Sequence, residues 1–287
     1  MTRLMHTSLV AAVVTAAAGL VLAPSPTWAQ GDRGTPEQLT RLSARPTPKL
    51  PNGRTDFNGT WDHWGGIEFV RPQTLANGSV CIIGCPAPRG GARPSGPVAS
   101  APATFPSYKP EFQAKVQDLN DRQVQVDTAL RCQPPGIPRL GPPHKIVQNA
   151  REVILLYDDI NGSFFRIIPI DGRPHRKDLP SSYLGDAIGR IEGDALIVET
   201  VNFNEDTWLA DNGAFHTRDL RVIERFRRIG DTIDYRAEVH DPAVLTAPWN
   251  KNPQAMWITD LELEESPRCE DRSMPHMVDG SHHDNPR

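Results

Sequence analysis

The sequence predicts a mainly β protein: an antiparallel β-barrel with one helix and long loops. Three observations carry this. Between 184 and 241, apolar residues recur with a period of two in three successive segments, the pattern of half-buried strands. Leu196, Val198 and Thr200 alternate with Ala195, Ile197, Glu199 and Val201; Leu220, Val222, Glu224 and Phe226 with Arg221, Ile223 and Arg225; Ile233, Tyr235, Ala237 and Val239 with Asp234, Arg236 and Glu238. Tight-turn sequences, Glu192-Gly193-Asp194 and Ile229-Gly230-Asp231, separate these segments, and such turns join antiparallel neighbours. Proline and glycine number 28 and 22, which favours turns over helices. About nine short strands at hairpin spacing imply a sandwich or an up-and-down barrel. Closure is favoured because it removes edge strands.

The first 29 residues read as a signal peptide, with Arg3 before an apolar stretch at 9–23 and Thr27-Trp28-Ala29 before the cut. That stretch is too short for a span, and no cysteine follows it to take a lipid. The expectation is a periplasmic or secreted protein with no membrane span after signal removal. Four cysteines in an oxidising compartment make disulfides the default. The favoured pairing is Cys81 with Cys85 and Cys132 with Cys269. The longer loop contributes about 4–5 kcal/mol in the chain-entropy model. The other reading of Cys81 and Cys85, half of a zinc site, lacks a second Cys/His pair at ligand spacing.

Residues 30–50 are polar and read as a flexible segment with a short helix, Thr35 as N-cap and Pro36 in the first turn. The barrel domain spans 51–270. Asn52-Gly53 turns into a first strand with Phe57, Gly59 and Trp61 on one face. Gly59-Thr60-Trp61 resembles the Gly-x-Trp of lipocalin-like (calycin-type) barrels, where the tryptophan plugs the barrel floor; the alternative is a core tryptophan on an ordinary strand. A proline-rich excursion at 71–110 has no periodicity and reads as a cover or surface linker. A helix is expected over 110–130, with Phe112, Val116, Leu119, Val126 and Leu130 on one stripe, ended by Pro134-Pro135. Residues 271–287 read as a loose tail.

Five segments then point to a family: 51–61 (PNGRTDFNGTW), 132–139 (CQPPGIPR), 171–175 (DGRPH), 189–200 (GRIEGDALIVET) and 220–226 (LRVIERF). Together they resemble a group of exported bacterial proteins without an assigned reaction, common in soil and aquatic bacteria with large catabolic repertoires. The resemblance spans roughly 51–270. Many relatives end in Cys-His-Glu-Gly-Asn, where this chain has Cys269-Glu270-Asp271-Arg272-Ser273. Any role of that histidine in the group is lost here or passed to an acid.

The candidate catalytic residues are His175, His216, Glu199 and Glu224. A carboxylate among apolar strand residues must be paired, hydrogen-bonded or protonated. Glu199 and Glu224 are therefore either salt-bridged, to Arg190, Arg221 or Arg225, or poised for proton transfer. His175 and His216 lie in loops beside strand ends, where barrel mouths form. Asp178, Trp208, Arg225 and Tyr235 are the candidate substrate contacts. Two histidines and an acid also suit a divalent metal, but their spacing is diagnostic of none, and no cofactor is expected. There is no His-Glu-x-x-His, no Gly-x-Ser-x-Gly and no phosphate loop. A net charge of −4 gives no basic footprint for nucleic acid. The expectation is an enzyme, a lyase, isomerase or hydrolase, acting on a small apolar or glycosidic compound by His/Glu acid–base chemistry. The alternatives are a carrier of a small hydrophobic ligand and an envelope structural protein. Oligomeric state is open.

Overall fold

The computed structural model describes residues 34–64, 69–83, 104–159 and 161–265. They contain twelve strands: β1 Gly59–His63, β2 Phe69–Thr74, β3 Val80–Ile83, β4 Lys145–Gln148, β5 Glu152–Asp159, β6 Gly162–Pro169, β7 Asp186–Glu192, β8 Ala195–Val201, β9 Arg221–Ile229, β10 Thr232–His240, β11 Trp249–Asn250 and β12 Gln254–Ile258. Ten form one sheet in the order β6-β5-β4-β1-β12-β10-β9-β8-β7, with β11 added on β10. β6 and β7 come to lie side by side, so the sheet curls into a nearly closed, lipocalin-like antiparallel barrel.

Closure stops short for a topological reason. Every hydrogen-bonded pair around the ring is antiparallel. Nine strands lie in the ring order, and an odd ring cannot alternate throughout. β6 and β7 are therefore left running in the same direction. Parallel neighbours need a crossover rather than a tight turn, and residues 170–185 supply it. The two edges lie close together at Gly189, where a Cβ would lie 2.8 Å from Cγ2 of Ile168.

Register decides which residues face inward. β8 and β9 pair Val198 with Glu224 and Glu199 with Ile223. Leu196, Val198, Val222 and Phe226 belong to the core, so Glu224 points into the barrel and Glu199 out of it. Trp61 of the Gly-x-Trp is fully buried. Its indole nitrogen donates to the Phe57 carbonyl at 3.2 Å, and the Arg228 guanidinium lies 5.0 Å from its ring centre. The turns β7–β8 and β9–β10 place Gly193 and Gly230 at positive φ, +60° and +58°, the demand of a two-residue hairpin with glycine first. At Gly230 a Cβ would also strike the Leu42 and Arg45 carbonyls, both at 2.6 Å.

That close approach ties down the lead-in expected to be loose. Helix α1, Pro36–Ser43, forms as expected, with the Thr35 side chain accepting from the Gln38 amide. The Asp231 amide donates to the Leu42 carbonyl at 3.0 Å, Arg45 pairs with Asp231 at 2.8 Å, and the Gly230 amide donates to the Thr47 hydroxyl at 2.9 Å.

Two other expectations need correction. The helix over 110–130 is broken into α2, Gln113–Asp121, and α3, Gln123–Val126, with single 3-10 turns at Pro110–Phe112 and Thr128–Leu130. Arg122 leaves helical geometry at φ −106°, ψ 19°. Asp127 leaves the helix because its carboxylate has better partners: the Ala129 amide at 3.0 Å and both arms of buried Arg139 at 2.7 and 2.8 Å. The excursion at 71–110 begins with a hairpin, β2 with β3; positions 84–103 lie outside the described residues. Cys81 and Cys132 are each disulfide-bonded, but Cys85 and Cys269 lie outside the described residues, so the pairing stays a sequence expectation.

Inside the barrel, Arg166 of β6 spans the interior. It pairs with Glu224 of β9 at 2.7 Å and donates to the Tyr157 hydroxyl of β5 at 3.1 Å and to Thr200 Oγ1 of β8 at 2.7 Å. Tyr235 of β10 donates to the other Glu224 oxygen at 3.0 Å. Burial works against the Arg166 charge, yet Glu224 and Tyr157 more than offset it and push its pKa up. Burial and Glu224 together push the Tyr235 phenol well above its usual value. Removing one partner of a buried pair strands the other. Glu224→Ala should therefore lower the unfolding free energy by about 3–5 kcal/mol in urea titrations. The double change Arg166→Met with Glu224→Leu should restore a large share of it. Equal losses in both proteins would show that the tie is not what the core depends on.

Candidate functional site

The structure brings together two of the four expected catalytic residues. His175 lies in the crossover. Its Nδ1 is 3.0 Å from Oδ2 of Asp186 at the start of β7, and its Nε2 is 3.6 Å from Oε1 of Glu199 on the outer face of β8. The other Glu199 oxygen accepts from Arg221 at 2.6 Å. Asp186 also accepts from the Arg176 amide at 3.1 Å and its Nε at 2.8 Å. The imidazole thus stands between two carboxylates, each carrying an arginine. Asp186 fixes the ring through Nδ1; Nε2 is buried, faces Glu199 and has no hydrogen-bond partner, so it is the ring nitrogen left for proton transfer.

The carboxylates are held ionised. Burial alone would raise the Asp186 pKa, but hydrogen bonds from Arg176 and His175 bring it below the usual range. The Arg221 hydrogen bond, ahead of the opposing effect of burial, brings Glu199 down.

The remaining candidates fall elsewhere. Glu224 is fully buried in the interior tie, on the opposite face of the sheet from Glu199. Strand register separates the two acids, so His175 with Glu199 is the His/Glu pair that the structure brings together. His216 is buried; its Nε2 meets Thr207 Oγ1 at 2.8 Å and its Nδ1 the Thr217 carbonyl at 2.9 Å. Burial lowers its pKa, so it stands as a neutral packing histidine against Phe203. Among the substrate contacts, Tyr235 is sealed in the core and Trp208 is buried beside Arg139 at 5.4 Å. Arg225 and Asp178 are exposed. Among the described residues no group of three or more His, Cys, Asp or Glu side chains could hold a metal ion, and no helix is long and apolar enough to cross a membrane.

A cleft of about 560 Å³ follows the β6–β7 seam. β6 contributes Phe165, Arg166, Ile167 and Pro169, β7 contributes 186–188, and the crossover contributes Arg173, Pro174, Arg176 and 182–184. Phe165 and Ile167 point outward and are 62% and 51% exposed. Arg166 reaches the cleft from within, and its Nε has no hydrogen-bond partner. The cleft thus has an apolar floor and a rim of mixed charge, in which Glu152 and Asp186 stand beside Arg173 and Arg176, themselves paired with Asp171 and Asp186. Pro174, Arg176 and Asp186 set His175 at its margin.

Sequence reading missed Asp186, Arg176 and Arg166. Arg166 had a signal: it is in phase with Phe164 and Ile168, so the β6 alternation places it inside. Asp186 had none, because it stands at a strand start beyond the periodic run. A further missed cluster is His63, His144 and Lys251. The two imidazoles pack with centroids 4.6 Å apart. Burial, then His144 and Lys251, lower the His63 pKa to about 3; burial lowers Lys251 to about 8. Lys251 donates to the Pro138 carbonyl at 3.0 Å and to Gln254 at 2.8 Å, which gives it a structural duty.

The Asp186 and Glu199 pKa values lie below those of the unfolded chain. Their stabilisation is full above the unfolded carboxylate value of about 4 and is lost as pH falls through the lower folded values. The stability deficit of Asp186→Asn, measured in urea, should be largest above about pH 5 and shrink below about pH 3. A deficit constant with pH would contradict the ion-paired description.

Scans against protein-family models, curated proteins and solved structures each found no match.

Proposed function

We propose that the chain is an exported enzyme that binds a small, largely apolar compound in the seam cleft and uses His175 for proton transfer. The observation that carries this is the Asp186–His175–Glu199 alignment, 3.0 and 3.6 Å, at the cleft margin. Asp186 holds the ring, Nε2 takes or gives the proton, and the ionised Glu199 stabilises the positive ring formed during the step. Phe165 and Ile167 suit the apolar body of the substrate, and the paired Arg173–Asp171 and Arg176–Asp186 groups on the rim suit a neutral polar group. The reaction class is proton transfer in a lyase, isomerase or hydrolase. The disulfide-bonded state of Cys81 and Cys132 supports action in the periplasm or outside the cell.

A second reading, a carrier of a small hydrophobic ligand, is favoured by the exposure of Phe165 and Ile167. One series separates the two. In a screen of small aromatic and alicyclic esters, lactones and glycosides, the enzyme reading expects a turned-over compound. His175→Ala should then lose about 10²–10⁴-fold in turnover, Glu199→Gln less, and Arg225→Ala nothing. Full turnover by His175→Ala would overturn the assignment. Binding without turnover, lost in Phe165→Asp but kept in His175→Ala, would establish the carrier.

A further inference from the structure

A second cleft of about 530 Å³ lies between the α2–α3 segment and the loop at 204–217. It is not isolated from the first. Tyr183 lines both, and the consecutive residues Gln133 and Pro134 line one each. One ligand of sufficient length can therefore occupy both.

The chemistry of the second cleft differs from that of the seam. Thr128 is 5% exposed, lines this cleft, and its hydroxyl has no hydrogen-bond partner. A buried hydroxyl without a partner needs a water or a ligand. Around it the charges cancel: Lys115 and Arg131 face Glu205 and Asp206. Two of these charges are already engaged, Lys115 above the Phe215 ring at 3.9 Å and Glu205 with Arg218 at 3.0 Å. An anion would meet the carboxylates, a cation the basic pair, and a purely apolar group would strand the hydroxyl and the Gln133 amide. A neutral ring with many hydroxyls satisfies all of them, because it donates to carboxylates, accepts from amide and cationic groups, and lays its C–H faces on the apolar edges.

From this we infer that the second cleft is a sugar subsite and that the substrate of the seam is a glycoside, its aglycone on Phe165 and Ile167 and its sugar beside Thr128. The inference rests on the seam being the ligand site.

The test is calorimetric binding of the full mature chain to 4-hydroxybenzoate and to its 4-O-β-glucoside, galactoside, mannoside and xyloside. The variants are Thr128→Val and Phe165→Asp. At least one glycoside should bind wild type tenfold or more tightly than 4-hydroxybenzoate. Thr128→Val should lose that advantage while binding 4-hydroxybenzoate as wild type does. It should also melt as wild type does, because removing an unpartnered hydroxyl leaves nothing unpaired. Phe165→Asp should weaken every ligand. If 4-hydroxybenzoate binds and no glycoside binds better, or if Thr128→Val keeps the advantage, the sugar subsite is wrong and the seam reading stands. If neither the acid nor any glycoside binds, both fall.

Discussion

An odd number of strands cannot close into a ring of antiparallel pairs, and this constraint shapes the molecule. Eight junctions around the barrel are hydrogen-bonded antiparallel ladders. The ninth, between β6 and β7, brings together two strands that run the same way. The chain must therefore travel back along the barrel between them, which is why 170–185 is a crossover and not a turn. The edges facing each other at this junction carry the backbone groups that closure would have paired. The junction is thus both the place where the barrel is least finished and the place where a cleft with an apolar floor has room to form.

Two sets of contacts keep the unfinished seam from opening. From inside, Arg166 leaves β6 and reaches across to β8 and β9, so an ion pair and hydrogen bonds stand in for the missing ladder. From outside, the crossover is fastened by His175 and Arg176 to Asp186 and by the Asn202 amide to the Leu179 carbonyl at 2.9 Å. The proposed acid–base residue is therefore also a fastening. Its ring orientation is fixed by the same contacts that hold the cleft wall, which is the preorganisation that proton transfer requires.

Much of the fold was legible because period-two patterning reports burial directly. Leu196 and Val198 alternate with Ile197 and Glu199, and Val222 with Ile223, as the strands do, and Gly193 and Gly230 marked their turns. The helix over 110–130 misled because its apolar stripe, interrupted at Gln123, resumes at Val126 and Leu130 while Arg139, twelve residues beyond Asp127, draws that residue out of the helix; a stripe does not report a distant ion partner. The site was half legible. His175 and Glu199 were named, but Glu199 and Glu224 look alike in sequence, each a carboxylate in an alternating strand. Only the register of β8 on β9 shows that they face opposite ways. His216 looked like a loop histidine at a barrel mouth, whereas Thr207, nine residues upstream, takes its ring into the core.

Amide hydrogen exchange resolved by residue tests the central claim most directly. If β6 and β7 are unladdered neighbours, their seam-facing amides should exchange orders of magnitude faster than the interior amides of β9 and β10, which open only with the whole barrel. Their outward neighbours, paired to β5 and β8, should be protected. Uniform protection around all nine strands would mean that the barrel closes, and the seam could not then be the cleft on which the functional account rests.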